Sequence, residues 1–223
     1  MSSTLSAPGS SPGAGDAVDA VDAVDAAPPR APRRARGQLR VEALLAAAAD
    51  VFSAKGFDAA TMTEIAARSD SSIGSLYQFF RTKEAVADAL IGVQVQALWR
   101  RLDGLAERAP ALATRELGHA LAVCFVDFRA DHPSFATLVE RPGPPSPLIA
   151  GVRRTVRERV EAILARHAPR AAPAMLHAMA PVVQQAMKSA VQLRADLEGA
   201  DLKAAARELD AMLAAYLVAR LGS

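Results

Sequence analysis

The 223-residue chain has little of what secreted, membrane and β-rich proteins contain. Its single cysteine, Cys124, excludes an intramolecular disulfide, and its N-terminus lacks the basic and then apolar pattern of a secretion signal. No apolar run approaches the roughly 18 residues of a membrane span. Aromatic residues make up only 4% of the chain, and no segment alternates as a half-buried strand does. We therefore expect an all-α cytoplasmic protein without membrane contact.

Patterns of catalysis and metal binding are missing as well. The sequence has a single Glu-x-x-His pair, Glu116 with His119, whereas di-iron helical bundles use two such pairs. It has no nucleophile with a neighbouring base and no glycine-rich phosphate loop. Its four histidines do not occur at metal-ligand spacing. We expect a protein that is not an enzyme and that needs no cofactor or metal.

Charge is unevenly distributed along the chain, although the net charge is only +2. Residues 1–29, rich in Ser, Gly, Pro and Ala, contain only acidic charges, whereas residues 30–40 contain five arginines and no acid. Such a composition cannot bury enough apolar surface to offset the entropy of ordering. It predicts a disordered tail over residues 1–36, with a basic arm at 30–40.

The first half of the remaining chain has the periodicity and caps of four helices. Apolar residues from Val41 to Phe52 follow the spacing of one helical face and predict a helix over 37–55, ended by Gly56. A capping box at Thr61–Glu64 starts a second, short helix, which Ser69-Asp70-Ser71 ends. Ser72 caps a third helix that reaches Phe79, and Thr82 caps a long fourth helix that reaches about Arg108.

The second half predicts longer helices that prolines separate, at about 111–130, 148–167, 174–195 and 201–220. The breaks are His132-Pro133, the segment 141–147 and the segment 169–173. Pro181 lies inside the third of these helices, where it predicts either a kink or a further boundary.

Two short helices joined by a tight turn and packed on a longer helix are typical of a helix-turn-helix that binds double-stranded DNA. Ile65, Ala66, Leu76 and Phe80 supply its small core. The outer face is left with hydroxyls and an amide, which suit phosphates and base edges. These candidate DNA-binding residues are Ser71, Ser72, Ile73, Ser75, Tyr77 and Gln78. A serine-rich surface helix without a ligand would give the same short pattern.

The whole segment 37–90 resembles the N-terminal domain of the tetracycline-repressor (TetR) family. The matching residues are Leu44-Leu45, Ala48, Val51-Phe52, Gly56-Phe57, Thr61, Ile65-Ala66, Ser72, Gly74-Ser75-Leu76-Tyr77, Phe80 and Lys83-Glu84. The resemblance implies a helix-turn-helix domain at 37–84 and a helical effector-binding and dimerisation domain at 85–223. It also implies a homodimeric transcriptional regulator that a small molecule controls.

The resemblance assigns DNA contacts to individual residues. Thr61 and Thr63 would contact phosphates or base edges, and Lys83 would bind a phosphate. The third-helix contacts would be Ser72, Ser75 and Tyr77. The family has Gly-Val in the turn where this chain has Asp70-Ser71.

The basic arm is a further candidate, because residues 41–84 contain four basic and six acidic side chains. Arg33, Arg34 and Arg36 would then enter the minor groove and release counterions. The alternative is an arginine-rich linker without a defined target.

The resemblance also implies an effector site and a dimer seam in the second half. Candidate effector contacts are Trp99, Phe125, Phe128, Phe135, Met175 and Met179, although such residues can equally form plain core. Candidate dimer residues are Val182, Val183, Ala186, Ala190, Leu193, Leu209, Met212, Leu213, Tyr216 and Leu217. The leading hypothesis is a repressor that an effector releases from an inverted-repeat operator. The alternative is an architectural, nucleoid-type DNA-binding protein without an effector.

Overall fold

A computed structural model describes residues 33–140 and 146–222, and every regular element within these ranges is a helix. The elements are α1 (Arg33–Ala59), α2 (Met62–Arg68), α3 (Ile73–Phe79), α4 (Lys83–Arg108), a 3-10 turn (Ala109–Ala111), α5 (Thr114–Asp131), α6 (Pro133–Val139), α7 (Pro147–His167), α8 (Pro173–Asp196) and α9 (Gly199–Leu221). The expected all-α fold is confirmed. Residues 1–32 of the tail predicted over 1–36 lie outside the described residues.

Helix α1 begins earlier than its apolar pattern indicates. It starts at Arg33 rather than Gly37, so Arg33, Arg34 and Arg36 lie on a helix where the sequence predicts a disordered tail. Arginine and alanine are good helix formers, and they extend α1 beyond its apolar face. Gly56 leaves the helical conformation at φ 75°, which only glycine adopts without strain.

The caps that the sequence predicts are present at the next three helices. The capping box at the start of α2 is complete: Glu64 N donates to Thr61 Oγ1 at 3.2 Å, and Thr61 N donates to Glu64 Oε2 at 3.1 Å. Ser72 Oγ accepts from Ser75 N, and Thr82 Oγ1 accepts from Ala85 N, both at 3.1 Å. These local bonds set where α2, α3 and α4 begin.

At two prolines the helix boundaries differ from those that the sequence predicts. The break at His132-Pro133 is real, but Pro133 is the first residue of α6, a short helix that the sequence analysis missed. Proline suits this position because the first helical N–H has no partner within the helix. Helix α8 continues through Pro181, so the alternative of a boundary there is wrong.

One continuous apolar core joins the two halves of the described chain. It runs from Leu44 in α1 to Leu217 in α9 without a division at residue 84. Helix α4 carries the core from the short helices into the second half, and α6 packs against α1. Both elements therefore contact the predicted DNA-binding and effector domains.

Candidate nucleic-acid interface

Helix α3 buries one side chain and exposes three large ones. Leu76 is fully buried, whereas Ile73, Tyr77 and Phe79 keep 40%, 49% and 40% of their surface exposed. Ile73 and Tyr77 are four residues apart and share one side of the helix, whereas Phe79 lies on the other side of the Leu76 stripe. Because burial of apolar surface is favourable, three such residues exposed on a seven-residue helix are unusual. The outer face of α3 is thus built for contact with another molecule.

The predicted DNA-binding residues lie at or near this face. Thr61, Thr63, Ser72, Ile73, Tyr77 and Gln78 are exposed, while Ser71, Ser75 and Lys83 are half-buried. Phe79, which sequence analysis left out, is exposed beside them. The sequence could have predicted that Phe79 is exposed, since the inward side of α3 is already formed by Leu76 and Phe80.

The turn between α2 and α3 is a Schellman motif. Ser71 N donates to Ala66 O at 3.0 Å, Asp70 N donates to Ala67 O at 3.2 Å, and Asp70 lies in the left-handed region at φ 50°. Aspartate tolerates this conformation better than most residues. Asp70 therefore closes the turn without glycine and places an exposed negative charge there.

Two of the four cations in residues 41–84 are engaged with acids of the same region. Arg68 binds Asp50 through Nη2 at 2.8 Å and through Nε at 3.1 Å, and Lys55 pairs with Glu64. The bond from Lys55, with that from Thr61, lowers the pKa of the Glu64 carboxyl. These ion pairs join α2 to α1 and engage Lys55 and Arg68.

Lys83 has a structural role that its sequence position did not reveal. Its Nζ donates to the carbonyls of Asp58 at 3.0 Å and Ala60 at 2.9 Å, and it lies 4.5 Å from the ring centroid of Phe57. The ammonium thus ties the start of α4 to the end of α1. At most one of its three protons remains for the predicted phosphate contact.

Between residues 35 and 84, three other arginines are exposed and pair with no acid among the described residues. Arg81 lies between α3 and α4, and sequence analysis counted it only as part of the charge balance. Arg36 and Arg40 lie on α1 at the i, i+4 spacing of a single helical face. These are the cations most available to an anionic partner. The side chains of Arg33 and Arg34 lie outside the described part of the structure.

The candidate effector residues do not form one site. Phe125 and Phe135 line a recess between α4, α5, α6, α7 and α8, whereas Phe128 is fully buried and packs edge-on against Phe135. Met179 is core, and Met175 lines a separate surface pocket beside His167. Trp99 is half-buried, and its ring lies 4.9 Å from the Arg159 guanidinium. Phe128 and Met179 therefore belong to the core, because helical spacing alone does not distinguish core from cavity wall.

The candidate dimer residues differ in burial. Val183, Ala186, Leu209, Leu213 and Leu217 are buried within the chain's own core. Val182 on α8 and Met212 on α9 are half exposed, at 50% and 58%. Only this outer pair has a large free apolar surface.

The two halves of the chain match two family profiles. Residues 44–90 match the bacterial regulatory proteins of the tetR family, and residues 115–217 match the tetracyclin repressor-like C-terminal domain. The chain belongs to the TetR family. It is accordingly a DNA-binding transcriptional regulator, in a family whose members are generally not enzymes and are typically dimeric and ligand-responsive.

Solved structures of the family share this fold. A TetR-like transcriptional regulator from Rhodococcus sp. RHA1 is 23% identical with a TM-score of 0.59, and the match covers 85% of this chain and 99% of that one. A TetR-family transcriptional regulator from Streptomyces coelicolor is 27% identical with a TM-score of 0.54, covering 82% and 99%. FadR from Bacillus subtilis, in complex with stearoyl-CoA, is 14% identical with a TM-score of 0.60, covering 78% and 97%. Among curated proteins, none matches the sequence.

Within the described ranges, no helix is long and apolar enough to cross a membrane. In the same ranges, histidine, cysteine and carboxylate side chains form no group of three or more suited to a metal ion.

Proposed function

We propose that the protein is a homodimeric repressor that a small-molecule effector releases from an inverted-repeat operator. The observation that carries the DNA-binding part is the exposure of Ile73 and Tyr77 on one side of α3, which Ser72 caps, with Phe79 exposed at the end of the same helix. Apolar side chains at such a face can contact thymine methyl groups, while hydroxyls bind phosphates or base edges.

Positive charge reaches the DNA from the edges of the helix-turn-helix. Arg81 follows α3, and Arg36 and Arg40 project from the start of α1. Each phosphate that these arginines neutralise releases counterions and contributes about 0.9 to the slope of log affinity against log salt. Arg33, Arg34 and Arg36 are thus proposed to act from a helix rather than from a flexible arm.

Two copies would present two α3 helices to a two-fold symmetric operator. The exposed side chains of Val182 on α8 and Met212 on α9 support a dimer through these helices, because pairing would remove both from water. The buried members of the predicted seam would then act as the support beneath the interface.

Effector release requires a physical connection between the recess and the DNA-binding helices, and α6 supplies one. Its residues Phe135 and Val139 line the recess. On another side, the single proton of Thr137 Oγ1 is shared between Ser134 O of α6 at 2.8 Å and Phe52 O of α1 at 3.2 Å. Ser134 Oγ accepts from Gln94 Nε2 of α4 at 2.8 Å. A ligand that displaces α6 therefore changes how α1 and α4 are held. Coupling of about 1–3 kcal/mol is enough to lower operator affinity by one to two orders of magnitude.

The test is footprinting and gel-shift titration on the DNA that flanks the protein's own gene. We expect a symmetric protected site, and weaker binding of Tyr77→Ala and Ser75→Ala. Ser53→Ala, a change of the same kind on the exposed side of α1, is the matched control and should bind as the wild type does. Circular dichroism establishes that the variants stay helical. Equal affinity of Tyr77→Ala, Ser75→Ala and wild type would contradict the assignment of α3.

A further inference from the structure

The recess between α4, α5, α6, α7 and α8 combines an apolar wall with a cationic mouth. The wall consists of Leu98, Phe125, Phe135, Ile149, Val152 and Val156. The enclosed volume is about 40 Å³, and the unfilled space reaches about 430 Å³ when the mouth is included. A ligand the size of one aromatic ring or a short alkyl chain can thus enter only partly unless the side chains of the wall move.

Four charged side chains of the described chain reach this recess, and three of them are cations. Arg129 is largely buried and pairs with Glu140 at 2.9 Å, so these two charges compensate each other. Arg153 and Lys188 remain, and neither pairs with an acid among the described residues. The mouth therefore has an excess of two positive charges.

Arg153 and Lys188 are held at the recess by their surroundings. Arg153 Nη2 donates to Val139 O at 3.3 Å, and its own carbonyl accepts from the buried Gln184 Nε2 at 3.3 Å. Burial lowers the pKa of the Lys188 ammonium, and the neighbouring Arg153 lowers it further. Two half-buried cations that repel each other favour an anion between them, because it offsets both desolvation and repulsion.

We propose that the recess binds an amphipathic organic carboxylate, with the carboxylate between Arg153 and Lys188 and the apolar body against Phe125, Phe135 and Val152. This deepens the proposed function, since it names the chemical class of the effector. The apolar part would enlarge the recess by moving Phe135 and Val139 of α6, which is the element bonded to α1 and α4.

The experiment is calorimetric titration of the full chain, without DNA, with n-octanoate and 4-phenylbutyrate as probes. Octanamide and octylamine are the neutral and cationic counterparts. We expect at least one carboxylate to bind and both counterparts to bind at least tenfold more weakly. Arg153→Gln and Lys188→Gln should each weaken carboxylate binding about tenfold to a hundredfold, which is the range for a charge-assisted hydrogen bond.

Arg154→Gln is the matched control, because Arg154 is the next residue on α7 but is exposed and pairs with Glu158. It should leave carboxylate affinity unchanged. Val152→Phe, which fills the recess, should abolish binding; if that variant does not fold, the two charge variants still decide the matter.

Three results would overturn the inference: no heat from either carboxylate at about 5 mM, equal binding of octanoate and octanamide, or equal losses in Arg153→Gln and Arg154→Gln. Operator binding is measured separately on the ligand-free protein. A failure of the carboxylate proposal is thereby distinguishable from a failure of the proposed DNA-binding function.

Discussion

Replacing Ser134 by alanine measures how much a buried polar contact contributes to the junction of α4 and α6. Ser134 is 1% exposed and Gln94 is 4% exposed, and the amide donates to the hydroxyl at 2.8 Å. The Oε1 atom of Gln94 has no partner among the described residues. Ser134→Ala therefore leaves the whole buried amide unpaired, at a cost of about 1–3 kcal/mol in the free energy of unfolding.

For a protein of this size each kcal/mol lowers Tm by about 2–4 °C, so thermal and urea unfolding should resolve the loss. Gln94→Met removes the amide together with its unpaired oxygen and should cost less than Ser134→Ala. The double variant should lose less than the sum of the two single losses. Ser189→Ala on the exposed side of α8 is the control. An unchanged Tm in Ser134→Ala, or additive losses in the double variant, would refute the reasoning.

Three further predictions concern charged side chains. Lys83→Ala should lower both Tm and operator affinity, because Lys83 holds two carbonyls at the end of α1, whereas Arg81→Ala should lower operator affinity alone. Asp70→Asn should tighten operator binding in gel-shift titrations, most clearly at low salt, because it removes a negative charge from the turn and keeps a residue that tolerates positive φ. Lys188→Met should raise Tm at neutral pH. Because the folded state lowers the pKa of Lys188, the wild type regains stability as pH rises toward 10.5, and the difference should shrink in that range.

Each of these predictions has an outcome that contradicts it. An unchanged Tm in Lys83→Ala would mean that the carbonyl bonds contribute nothing measurable. If Asp70→Asn binds DNA as the wild type does at every salt concentration, the turn lies away from the phosphates. A stability difference for Lys188→Met that is constant with pH would show that the ammonium is not responsible.

Local chemistry in the sequence was sufficient to predict the DNA-binding helices. The Thr61–Glu64 box, the Ser72 and Thr82 caps and Gly56 act within a few residues of themselves, and all four are in place. The outer face of α3 followed from the same logic, since Leu76 and Phe80 alone turn inward.

The ends of helices without such signals were harder to predict. Arg33 to Arg36 extend α1 although they have no apolar periodicity, and Pro133 starts a helix where a break was expected. At the start of α1 the helix propensity of arginine and alanine extends the helix. At Pro133 the first position of a helix accepts proline, although proline elsewhere ends a helix.

What the sequence alone determined about this protein is the all-α order of helices, the caps of the helix-turn-helix and its outward residues, because these depend on neighbours within one or two turns. Only the tertiary structure decided that Lys83 holds carbonyls, that Met175 lies apart from Phe125, and that Arg153 and Lys188 meet at one recess. Those residues are far apart in the chain, and the packing of α6, α7 and α8 sets the distances between them.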